Sequence, residues 1–157
     1  MNAYERLEDE ACRDGIDIVR RKFNSPRIKG LYCNGTVAIN DDIETSNESA
    51  CVLAEELGHH YTTVGNILDL SDSQNRKQER QARLWAYNKR IGLCGLIRAY
   101  EHGCRYRHET AEYLDVTEEF LQDAIDCYRD KYGVSTTVDD YCIMFIPNLL
   151  IGKIINF

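Results

Sequence analysis

Along the N-terminal stretch, Tyr4, Leu7, Ala11, Ile18 and Val19 recur near the helical period, which predicts an amphipathic helix over residues 4–23. The Ser25-Pro26 pair ends it, because a residue before proline is pushed out of the α region. The pattern then changes. In IKGLYCNGTVAIND, Asn34-Gly35 separates two short runs of β-branched and aromatic residues, a hairpin signal that predicts strands near 28–33 and 36–40. Thr45 and Glu48 have the spacing of a capping box, so a helix should start near Ser46 and run to about Tyr61 or Thr63. Gly65, Asp69 and the Ser71-Asp72-Ser73 cluster mark a loop and the next N-cap. Residues 74–91 and 94–104 read as two more helices, rich in Ala, Leu and Tyr.

Residues 108–132 have the spacing of helix, turn, helix: Ala111 and Leu114 close the first piece, and Val116 sits in the turn. Phe120, Leu121, Ala124, Ile125 and Tyr128 line the second. A DNA-reading use of this pair is opposed by Thr117, Glu118, Glu119, Gln122 and Asp123, whose carboxylates would meet phosphates. Packing or protein docking is the expected role. The tail YCIMFIPNLLIGKIINF is the most apolar stretch, but Pro147, Asn148, Gly152, Lys153 and Asn156 interrupt it, so it is a poor membrane span. Residues 141–146 should be a strand, with the apolar end beyond Pro147 buried here or in a partner. The fold class is therefore α+β, mostly helical with a small β-sheet.

At 157 residues and 43% apolar content the chain can bury one core, and a single domain over 1–157 is expected. Acidic and basic residues crowd the first twenty positions, which excludes a secretory signal peptide there. The seven cysteines are odd in number and lack any C-x-x-C pair, so reduced thiols in a cytoplasmic protein are expected. The net charge of −7 is segregated: residues 1–75 carry −7, residues 76–107 carry +7 and residues 108–157 carry −7. The basic middle could attract an acidic partner or be a solvated helix face. The acidic flanks oppose direct nucleic-acid binding.

Chemistry concentrates in CVLAEELGHHY, residues 51–61. The frame Glu55-Glu56-Leu57-Gly58-His59 matches the zinc-protease motif H-E-x-x-H except at its first position, where Glu55 replaces histidine. At roughly 100° per residue, Glu55, Glu56 and His59 share one wedge of the helix, while Ala50, Leu53, Ala54 and Leu57 fall on the other side and should bury against the hairpin. A carboxylate is an acceptable zinc ligand, although oxygen in place of nitrogen favours harder ions such as manganese. Glu79 is the candidate third ligand, beginning E-x-x-A with Ala82. Glu55, His59 and Glu79 as metal ligands would leave an open position for water, with Glu56 as general base. The plain alternative stands beside this: E-E-x-x-H arises easily by chance, and Glu79 could simply pair with Arg76, Lys77, Arg80 or Arg83.

The runs GLYCNGTVAIND, TSNESACVLAEELGHHYTT with GNI, and KQERQARLWA together resemble the ImmA/IrrE family of metallo-endopeptidases in their phage or mobile-element form. The downstream ETAEYLDVTEEFLQDAIDCYRDKYG resembles the small helical region that follows the protease core in such proteins. The resemblance implies a minimal zincin-like core over residues 1–92, with active-site helix 46–61 and supporting helix 74–91, then a helical region over 93–132 and an apolar tail over 133–157. It places the motif glutamate on Glu56, the second motif histidine on His59 and the downstream ligand on Glu79. The first motif histidine falls on Glu55, with His60 as a reserve ligand. It also implies Zn2+, or Mn2+ or another divalent metal, and a helix-turn-helix repressor as the protein that is cut or bound.

Overall fold

The computed structural model describes residues 1–62 and 72–155, which form two compact units, Met1–Lys89 and Arg90–Phe157. The expected loop at Gly65 and Asp69, together with Ser71 of the cluster that follows, lies outside the described residues.

The first unit opens with α1 (Ala3–Arg13), started by a full capping box in which Asn2 and Glu5 bond each other's backbone N–H at 2.9 Å. The helix expected over 4–23 is only half that length. Gly15 adopts a φ of +80°, and the Ile16 N–H returns to the Ala11 carbonyl at 2.9 Å, closing the helix end. Ile16 is buried, and the β-branched Ile18 and Val19 beyond it lie in a strand, β1 (Asp17–Arg21). Their match to the helical period was coincidental, and Gly15 is the residue that breaks it.

The hairpin forms where expected, as β2 (Gly30–Cys33) and β3 (Thr36–Asn40), with Asn34 and Gly35 both at positive φ in a two-residue turn. β3 is the central strand, parallel to β1 and antiparallel to β2, which leaves β2 on an edge. Next comes α2 (Ser46–Thr62), whose first turn is capped by the Thr45 hydroxyl accepting from the Glu48 N–H at 3.3 Å. The Glu48 carboxylate bonds the Lys29 ammonium just ahead of β2. Ala50, Leu53, Ala54 and Leu57 are all buried, and α2 packs on α1, β2 and β3, where Val37 and Ile39 are fully enclosed. A second long helix, α3 (Asp72–Arg90), turns Ala82 and Ala86 inward.

The second unit holds α4 (Gly92–His102), α5 (Arg107–Leu114), α6 (Glu118–Tyr132) and an antiparallel sheet of β4 (Ser135–Val138), β5 (Tyr141–Met144) and β6 (Leu150–Lys153) with β5 in the middle. Between α5 and α6, Asp115 turns at positive φ, Val116 is buried, and the Thr117 hydroxyl caps α6 by accepting from the Phe120 N–H at 3.1 Å. Glu118, Glu119 and Asp123 are exposed. Only β5 was expected from the sequence. Of the two expected ways of burying the apolar end, the chain itself does not supply the first: Leu150 is 65% and Ile155 70% exposed. The seven cysteines form no disulfide, and no described helix is long and apolar enough to cross a membrane.

Candidate metal centre

Two glycines position the candidate site. The first is Gly58 on α2. A Cβ there would stand 2.2 Å from the Ala82 carbonyl oxygen and 2.9 Å from its carbon, so only glycine lets α3 lie this close. The contact fixes what flanks it. His59 follows Gly58 on α2, and Glu79 precedes Ala82 by about one turn of α3. His59 Nε2 and Glu79 Oε2 are 3.3 Å apart. The other carboxylate oxygen of Glu79 lies 3.9 Å from Arg83 Nε.

The second is Gly30, at the start of the edge strand β2. A Cβ at Gly30 would stand 2.9 Å from Glu56 Cγ, 3.3 Å from its Oε1 and 2.8 Å from Val52 Cγ1. Strand backbone thus lies against the Glu56 side chain and leaves it half-buried. Burial, reinforced by the negative charges of Glu55 and Glu79, pushes the Glu56 carboxyl up to about 7. A carboxyl poised there can exchange a proton near neutral pH, which suits a general base. Sequence reading nominated Glu56 but missed Gly30. The available signal was a glycine opening a strand, a common mark of close backbone approach.

His60, the reserve ligand, is turned to the hairpin instead. Its Nδ1 lies 2.7 Å from the Tyr32 hydroxyl, which also accepts the Gly35 N–H at 3.2 Å. Tyr61 stacks on Trp85 with ring centroids 4.9 Å apart, and its hydroxyl bonds Asp14. Burial and the nearby carboxylates of Asp14 and Glu10 push the Tyr61 phenol up to about 12.

Of the four nominated residues, the structure pairs His59 with Glu79 and puts Glu56 within electrostatic reach of Glu55 and Glu79. It does not draw Glu55 into a common cluster with the other two. Among the described residues no group of three or more His, Cys, Asp or Glu is arranged to hold a metal ion. The pair itself has a suitable spacing. Nitrogen and oxygen donors bound tetrahedrally to zinc at about 2.0–2.1 Å stand roughly 3.3 Å from each other, the separation of His59 Nε2 and Glu79 Oε2.

A small sheet, a helix bearing E-E-x-x-H beneath its edge strand, and a second helix delivering a carboxylate define a minimal zincin-like α+β fold. Residues 11–126 match the peptidase M78 model, described as an IrrE N-terminal-like domain, and the chain belongs to that family of ImmA/IrrE-type metallopeptidases. Membership implies a divalent metal. No curated protein and no solved structure matches the chain.

Proposed function

We propose that the protein is a metal-dependent endopeptidase of the cytoplasm that cleaves a helix-turn-helix repressor of a phage or mobile element. The observation that carries this reading is the His59–Glu79 pair at 3.3 Å beside a half-buried Glu56. His59 and Glu79 would hold the ion, Zn2+ or a harder ion such as Mn2+, with Glu55 as the third ligand in the place of the motif's first histidine. A bound divalent ion would supply Lewis acidity there. Glu56 would take a proton from the attacking water and return it to the leaving amine. Gly30 lets the strand close over one side of Glu56, and Gly58 keeps His59 and Glu79 in register.

The test is a titration of purified protein with zinc and with manganese, followed by incubation with the element's repressor. One ion should bind per chain, and Glu56→Gln should keep the ion while abolishing cleavage. Absence of stoichiometric binding would remove the enzymatic reading. Because Glu55 stands where the motif has an imidazole, a second reading is a non-catalytic antirepressor that binds the repressor without cutting it. In that case Glu56→Gln would leave derepression intact.

A further inference from the structure

The face of α3 that delivers Glu79 also carries three arginines. At roughly 100° per residue, Arg76, Glu79, Arg80 and Arg83 fall within one wedge about 100° wide, and all four are exposed. Lys77 stands beside them. Arg83 is the member in ion-pair contact with Glu79, whereas Arg76 and Arg80 form no ion pair among the described residues. Glu79 offsets the charge of Arg83 through their i,i+4 pair, whereas Arg76 and Arg80 are a like-charge pair at i,i+4, a spacing that disfavours the helix. The stripe borders the candidate metal centre directly.

We infer that Arg76 and Arg80 form a docking strip for an acidic, extended peptide segment of the protein substrate. The spacing fits that chemistry. Four residues of helix advance about 6 Å, and two residues of an extended chain advance about 6.6 Å. Aspartates or glutamates at alternate positions of an extended segment would therefore meet Arg76 and Arg80 in turn. Guanidinium groups suit this role because they grip carboxylates through two parallel hydrogen bonds. A long nucleic acid fits less well, since its many charges are opposed more strongly than those of a short peptide by the net negative charge of residues 1–89. The inference rests on the peptidase reading for the position of the strip beside the cleavage centre, but binding itself requires no metal.

The experiment is fluorescence anisotropy of the full chain in excess chelator, with a fluorescein-labelled (Glu-Thr)5 peptide. The probes for comparison are (Gln-Thr)5 and a ten-nucleotide oligothymidine. The acidic peptide should bind saturably and weaken with added KCl, while (Gln-Thr)5 should not bind. Arg76→Gln/Arg80→Gln should weaken it roughly tenfold, and Arg76→Lys/Arg80→Lys should retain much of the affinity. Arg21→Gln/Lys22→Gln, an equal charge change at exposed residues of the same unit, should leave it intact. The inference is overturned by no saturable binding, by equal loss in the Arg21/Lys22 variant, or by oligothymidine binding more tightly than the peptide. Peptide binding without any metal uptake would sink the peptidase reading alone. Metal uptake with peptide affinity indifferent to Arg76 and Arg80 would sink this inference alone.

Discussion

Gly58 lies so close to Ala82 that a methyl group on it would sit 2.2 Å from the Ala82 carbonyl oxygen. The obstacle is backbone, not a side chain that could rotate away. Gly58→Ala must therefore force α2 and α3 apart, and overpacking of this kind costs about 1–3 kcal/mol. The larger consequence is for the site, because the same contact sets the 3.3 Å between His59 and Glu79. Denaturant unfolding should show the loss of stability, and zinc titration should show weaker binding. Wild-type values for both would mean that the helix crossing does not position the ligands.

Gly30→Ala tests the other contact. The position does not require positive φ, so its cost is steric: the new methyl would meet Glu56 Cγ at 2.9 Å and Val52 Cγ1 at 2.8 Å. Relief comes by β2 shifting outward, which lets water reach Glu56. The Glu56 carboxyl should then titrate below its present value of about 7, toward the ordinary carboxylate range. Carbon-13 NMR of labelled glutamate side chains in metal-free protein reads this directly. An unchanged midpoint would show that the strand does not dehydrate Glu56.

The same raised value makes stability depend on pH in a definite direction. Glu56 moves from an ordinary 4.5 to about 7 on folding, so between those values the folded state holds a proton that the unfolded state releases. The stability of metal-free protein should therefore be greatest, for this group, below pH 4.5 and fall as pH rises through 7. The full effect is up to about 3 kcal/mol. Glu56→Gln cannot ionise and should flatten this part of the profile, making the variant more stable than wild type at pH 8. Urea unfolding at several pH values checks it, and parallel profiles for the two proteins would contradict the assignment.

Much of this arrangement is written locally in the sequence. The cap at Thr45 and the spacing of Ala50, Leu53, Ala54 and Leu57 specify α2, and Asn34-Gly35 specifies the hairpin, because each depends on neighbours along the chain. What stayed hidden depends on distant partners. β1 was masked because Ile18 and Val19 happen to continue a helical period past Gly15. β4 and β6 are four-residue strands with no strong alternation, and they exist by pairing with β5. In the site, Glu56, His59 and Glu79 could be nominated by residue type and spacing. That Gly30 would cover one of them, and Gly58 admit the helix carrying another, leaves no periodic trace. The sequence nominated Glu55 as an equal ligand by its place in the motif frame, while the close approach of His59 to Glu79, 3.3 Å, depends on the crossing of two helices.

Restoring the motif's imidazole isolates that difference. Glu55→His replaces a hard oxygen donor by nitrogen, which favours zinc over manganese. It also removes one of the two neighbouring charges that raise the Glu56 carboxyl. Two independent readouts should therefore move together. Zinc should bind roughly tenfold more tightly or better, with little gain for manganese, and Glu56 in metal-free protein should titrate below about 7. Metal analysis of the native protein beside the variant, paired with the glutamate NMR titration, measures both. If Glu56 shifts but zinc affinity does not, Glu55 acts on the general base without serving as a ligand, and His59 and Glu79 need a different third partner. If zinc tightens as expected, the helix already aims position 55 at the metal, and the native carboxylate is a ligand of altered chemistry in an intact frame.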